Sequence, residues 1–284
     1  KKMKLISYKA DGKARYGVVT ESGIVDASTR LDKQFPTLRD VIAADALDQI
    51  QALIGEPADH ALDAIEYDLP IPNVQKIMCA GRNYRAYHEV VEEGGPLQYP
   101  SIFGRFVSGF SAHGQDILDP KAGEQFDYEG ELVAVIGKAG RHISEADALD
   151  HIVGYTIMNE GSVRDWMAMG TQNTPAKNFY KSGGIGPWIV TADEVGDPAE
   201  QHIYTRRNGE VVQDAGTELM IFDTKYLISH ASKFTQLEAG DMIATGSPAG
   251  SIIGTEEKDW LKPGDVVEVE IPAIGTLSNT VVAE

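Results

Sequence analysis

The chain has little cysteine, little positive charge and no long apolar run, and each shortage excludes something. One cysteine, Cys79, in 284 residues rules out an intrachain disulfide and any multi-cysteine metal site, which fits a reducing cytoplasm. The seven histidines show no paired ligand spacing, so a zinc site lacks its usual donors. Lysine and arginine number 25 against 43 aspartates and glutamates, a formal charge of −18, with no basic stripe or cluster. Such a balance argues against a nucleic-acid partner. No uninterrupted apolar stretch reaches membrane-span length, and the first residues carry no signal-type apolar segment. The expectation is a soluble, cytoplasmic protein with no membrane partner.

What is present suits a globular chain with a sizeable core, at 42% hydrophobic and 24% charged residues. Short strands are expected at Met3–Tyr8, Tyr16–Thr20 and Gly23–Asp26, around turns at Asp11-Gly12 and Ser22-Gly23. A helical stretch follows from about Leu38 to Ile54, with Gly55 placed to stop it. Pro70-Ile71-Pro72-Asn73 reads as a linker, because two close prolines disfavour both helix and central strand. These signals divide the chain into a small N-terminal α/β domain, 1–72, and a β-rich domain, 73–284. In the second part a helix is expected from Glu145 to about Ile152, with Ser144 and Asp147 as its capping box. Another begins after Ser162, where Asp165 repeats the spacing. The Gly240-Asp241 and Gly264-Asp265 turns each lead into an apolar run and add to the β-rich texture.

The chemistry concentrates at Phe126-Asp127-Tyr128-Glu129-Gly130-Glu131, which opens the apolar run Leu132–Ile136. On a strand, Asp127, Glu129 and Glu131 share one face. Glu160 ends a second apolar run, Ile152–Asn159. The alternative is the wet face of an edge strand. Carboxylates that meet at the end of a buried sheet repel one another unless a cation joins them. A hard divalent ion, Mg²⁺ or Mn²⁺, suits such oxygen donors. On a helix, His88 and Glu92 lie one turn apart, so the carboxylate orients the imidazole as a general base; Glu89 is the other candidate partner. A partly exposed histidine on a charged helix is the alternative. Lys177, between Pro175 and Phe179, is placed to hold a substrate carboxylate or polarise a carbonyl, or is simply a solvated surface lysine. The Thr245-Gly246-Ser247-Pro248 turn offers backbone amides to an anion but lacks the ending of a P-loop.

Together these stretches resemble the fumarylacetoacetate hydrolase superfamily from about Ile77 to Ile274. The motifs are Gly81-Arg82-Asn83-Tyr84, Asp127-Tyr128-Glu129-Gly130-Glu131, Gly154-Tyr155-Thr156, Asn159-Glu160-Gly161-Ser162-Val163-Arg164-Asp165, Gly186-Pro187-Trp188, Asn208-Gly209-Glu210 with Gln213, and Thr245-Gly246-Ser247-Pro248. The resemblance implies an α+β, β-rich fold, a mixed β-sandwich roll preceded by a small α/β domain, assembled as a homodimer. It implies Mg²⁺ or Mn²⁺ on Glu129, Glu131 and Glu160. It also implies substrate contacts from Lys177, Thr245, Gly246 and Arg105. The family usually has Asp at the position of Glu160, Gln at that of Met167, and one residue fewer between Tyr84 and His88. The implied activity is metal-dependent hydrolysis of a carbon–carbon bond in an acylpyruvate-like 2,4-dioxo acid, with His88 and Glu92 activating water. The alternative is decarboxylation, tautomerisation or isomerisation of a small 2-oxo acid such as oxaloacetate. Glycine-rich Glu93-Gly94-Gly95-Pro96 marks 85–100 as a candidate lid.

Overall fold

The computed structural model describes residues 2–31, 34–85 and 97–284. The fold is mixed and strand-rich, as the composition and motifs predict. Its main sheet has 11 strands, nine of them in the spatial order Gly23–Asp26, Lys13–Thr20, Lys4–Ala10, Gly183–Thr191, Ile152–Asn159, Gly130–Ile136, Met242–Ala244, Ile77–Gly81, Ser101–Arg105. A second, five-stranded sheet runs Glu210–Gly216, His202–Arg207, Val266–Ile271, Gly275–Ala283, Ile117–Asp119. The central strands read as continuous apolar runs because both faces are covered. Along Gly130–Ile136, Val133 and Val135 join one hydrophobic cluster while Leu132, Ala134 and Ile136 join another. The first cluster packs beneath the N-terminal helices. The second reaches the five-stranded sheet, through Ile203 and Val269, and the helix Thr224–Phe234.

The N-terminal strands continue this main sheet. Lys4 and Leu5 pair with Val190 and Ile189, and Ile71, within the proline stretch, is wholly buried in the first cluster. The helical reading of 38–54 needs correction. Two short helices occur instead, Leu38–Ala43 and Leu47–Gln51. Between them Asp45 takes φ +52°, and the Ala46 amide donates back to the Val41 carbonyl while that of Asp45 reaches Ile42. That bonding pattern terminates a helix in a left-handed residue. The helix expected at 145–152 is also absent. Ser144 and Asp147 bond to each other across a tight turn, only a 3₁₀ turn forms at Ala148–His151, and from Ile152 the apolar run is drawn into the sheet. After Ser162 the helix is one turn long, Arg164–Met167. Asp165 does not cap it and instead accepts the amides of Glu124 and Gln125.

Candidate metal centre

Strand register brings the acids together. Gly130 lies opposite Asn159 and Glu131 opposite Met158, so Glu129 and Glu160 meet just beyond the paired ends. The Glu160 amide donates to the Glu129 carbonyl at 2.7 Å, and the Glu129 amide donates to the Asn159 side chain at 3.1 Å. Carboxylate oxygens of Glu129, Glu131 and Glu160 all lie within 4.8 Å of one another, and the three residues are buried. The predicted triad therefore converges, and the exposed-edge alternative is excluded.

Three cations surround it. Lys177 sits at the end of the short helix Thr174–Lys177 and is itself buried. Its Nζ donates to Glu129 Oε2 at 2.6 Å, to Glu160 Oε2 at 3.1 Å and to Ser162 Oγ at 2.7 Å. Arg164 forks between Asp127 Oδ2 at 2.9 Å and Glu129 Oε1 at 2.6 Å. Arg105 lies behind the wall, its guanidinium over the Phe110 ring, 3.8 Å from Glu160 Oε1 and bonded to the Gly161 carbonyl at 3.2 Å. Asp127 is not among the three converging acids. It accepts the amides of Tyr128, Ile252 and Ile253 as well as Arg164.

The electrostatics are uneven. Burial, then repulsion from Glu160 and Glu129, pushes the Glu131 carboxyl well above its ordinary value. Burial acts the same way on Glu160, but the charges of Lys177 and Arg105 outweigh it and hold that carboxyl down at about 2. Burial works against the Lys177 ammonium, yet Glu129 and Glu160 keep its pKa above the usual lysine value. Glu131 differs because its partner is the neutral Gly246 amide at 2.9 Å. Four buried carboxylates thus face three cations, and Glu160 Oε1 is buried with no hydrogen bond. One divalent ion on Glu129, Glu131 and Glu160 fits this set, since it supplies charge and takes an orphaned oxygen.

A cavity of about 330 Å³ opens over the cluster, lined among others by Arg82, Phe103, Glu129, Glu131, Met167 and Lys177. Arg82 takes φ +57° there. Its neighbour Asn83 is pinned by side-chain bonds to the Phe222 and Thr245 carbonyls and to the Phe222 amide. Other expected residues sit one layer back. Thr245 donates through both its amide and its hydroxyl to the Leu132 carbonyl, and Gly246 is spent on Glu131. His88, Glu89 and Glu92 lie outside the described residues, as do residues 86–96 of the expected lid. Sequence reasoning gave Ser162 only a helix-capping role, which it does not fill, and gave no role to Arg164, although both stand in a quoted motif. The signal was their position two and four residues past a candidate ligand.

Comparison with known proteins places the chain among relatives of one family. A family model described as the fumarylacetoacetate (FAA) hydrolase C-terminal domain matches residues 76–282. A mitochondrial oxaloacetate tautomerase of Xenopus laevis, fahd2, is 41% identical over 216 residues, 75% of this chain and 67% of that one. The oxaloacetate tautomerase YisK of Bacillus subtilis is 37% identical over 225 residues, 78% of this chain and 75% of that one. Among solved structures, maleylpyruvate hydrolase from Sphingobium sp. SYK-6, in complex with manganese(II) and pyruvate, superposes with TM-score 0.82 at 27% identity, covering 99% of both chains.

Proposed function

The chain belongs to the fumarylacetoacetate hydrolase family, and from that premise we propose that it is a divalent-metal-dependent tautomerase, interconverting the keto and enol forms of a small 2-oxo dicarboxylic acid such as oxaloacetate. The observation that carries the reading is the buried triad of Glu129, Glu131 and Glu160, two of which, Glu129 and Glu131, line a cavity together with Lys177. The tautomerases to which the chain is similar supply the substrate class. Glu129, Glu131 and Glu160 would hold Mg²⁺ or Mn²⁺, which would supply positive charge that lowers the cost of negative charge developing on the 2-oxo acid. Lys177 is an ammonium and donates to the 2-oxo oxygen, giving up a proton as the enol forms. C3 loses its proton to a base, for which His88 oriented by Glu92 is proposed. Solvent carries that proton back to Lys177, so nothing is gained or lost overall. Arg82 and Arg164 put positive charge on the cavity wall, which suits a dianion. Homodimeric assembly and a cytoplasmic location belong to the same reading.

A second reading is hydrolysis of an acylpyruvate, favoured by the likeness to maleylpyruvate hydrolase. It requires His88 to activate water. The test incubates purified protein with Mn²⁺ and enol-oxaloacetate or a series of acylpyruvates, following enol absorbance, pyruvate and CO₂. Faster enol–keto exchange without pyruvate or CO₂ supports the tautomerase. Stoichiometric pyruvate from an acylpyruvate makes the chain a hydrolase. Glu129→Ala removes either activity by orders of magnitude; near-normal turnover in metal-free buffer refutes metal dependence.

A further inference from the structure

Among the described residues on the cavity wall, only Arg82 has a left-handed backbone, at φ +57°. Residues with a Cβ enter that region at a cost, whereas glycine enters it freely. The turn after Ile77–Gly81 would therefore be built more easily with glycine at this position. The surroundings hold the arginine there all the same. Asn83 Nδ2 donates to the Thr245 carbonyl at 2.7 Å and the Phe222 carbonyl at 2.8 Å, and the Ile221 amide donates to the Asn83 carbonyl at 2.8 Å. Gly246 packs against the same turn so closely that a Cβ there would lie 2.8 Å from Asn83 Cβ and 2.9 Å from the Ala80 carbonyl oxygen. Since the Gly246 amide bonds Glu131, the turn that carries Arg82 is held at a set distance from the acid cluster. A costly conformation kept on a cavity wall points to a use for the side chain.

We infer that Arg82 determines substrate specificity: it pairs with the second carboxylate of the substrate while the 2-oxo end lies at the glutamates and Lys177, so that dicarboxylic 2-oxo acids are selected over monocarboxylic ones. This deepens the 2-oxo acid reading above and rests on it. Arg164 and Lys177 line the same cavity but are turned onto Glu129, whereas Arg82 approaches from a different element. A guanidinium matches a carboxylate with two parallel donors, which gives direction as well as charge. At about 330 Å³ the cavity is near the small end of ligand sites, which suits a short diacid gripped at both ends.

The test compares the natural chain with Arg82→Gly, which gives the turn the residue its backbone favours and deletes only the side chain. The ligands are oxaloacetate and its 4-methyl ester, which has the same skeleton and a neutral distal end. Both are used as equilibrated keto–enol mixtures, and binding is measured by calorimetry in excess Mg²⁺. The natural chain is expected to prefer the diacid by about tenfold or more, the scale of a hydrogen bond to a charged group. Arg82→Gly is expected to lose that preference, chiefly through weaker diacid binding, with its melting temperature unchanged or raised. At about 0.5 M KCl long-range attraction is screened while a direct pair keeps part of its effect. Equal affinity of the natural chain for diacid and ester overturns the inference. So does a loss in the variant that falls equally on both ligands, that disappears in salt, or that comes with a melt several degrees lower. A natural chain that prefers the diacid yet speeds no enol–keto exchange refutes the tautomerase and leaves Arg82 as its diacid grip; one that binds neither ligand overturns both.

Discussion

At the scale of single residues, Arg164 shows how the site depends on shape as well as charge. Its planar fork spans Asp127 and Glu129, two buried acids two residues apart whose carboxylates would otherwise repel. Lysine keeps the charge but cannot make the paired contact. Arg164→Lys is therefore expected to weaken Mn²⁺ binding and to cut turnover by about a hundredfold, the lower end of what removing a positioned donor costs; calorimetry and the enol assay check this, and unaltered values would remove Arg164 from the account. The acids were readable from sequence because the alternate glutamates open an apolar run, a third acid, Glu160, ends a second one, and both stand in family motifs; the spacing alone fits a wet edge strand equally well. Ser162 and Asp127 were not readable, since their roles rest on partners 15 and 125 residues away.

At the scale of elements, the residue between the two strand ligands carries the contact between the sheets. A Cβ on Gly130 would lie 2.3 Å from Thr205 Oγ1 and 3.0 Å from Val269 Cγ1, both in the five-stranded sheet. Gly130→Ala should destabilise the fold by about 1–3 kcal/mol, the usual cost of overpacking, and displace Glu129 and Glu131 together. Thermal melts should show a fall of several degrees, and Mn²⁺ affinity should drop with it. An unshifted melt would mean the sheets tolerate the methyl. His113 offers an independent check on how the second sheet is joined. Its Nδ1 accepts the Ser278 amide at 3.1 Å, and burial holds its pKa below the ordinary 6.5. Below pH 6.5 the unfolded chain takes up a proton that the folded chain resists, so stability falls as pH drops through that point. His113→Gln should flatten this fall in denaturant titrations at pH 5 to 7; an equal fall in both proteins contradicts the assignment. The strands were legible for the same reason as the acids, since alternation and turn signals are local. The helices were not. The break at Asp45 depends on one left-handed residue, and the Glu145–Ile152 segment lost its last residue to sheet pairing that no window of sequence contains.

At the scale of the whole molecule, the proposed ion would link the halves of the main sheet. Its candidate ligands come from Gly130–Ile136 and the residues flanking it and Ile152–Asn159, while the Gly246 amide that steadies Glu131 follows the Met242–Ala244 strand. A ligand that binds only the folded state stabilises it, by about 2.7 kcal/mol at a hundred times its dissociation constant. The melting temperature should rise with added Mn²⁺ and return after chelation. No helix among the described residues is long and apolar enough to cross a membrane. The most direct measurement is calorimetric titration of Mn²⁺ into the natural chain and into Glu131→Gln, which keeps the shape and the Gly246 contact but removes one ligand charge. The account predicts one ion per chain, and a loss of affinity of about a hundredfold in the variant, the scale of several kcal/mol for a buried charge contact. Equal affinity in the two proteins, or no binding to the natural chain, would contradict it.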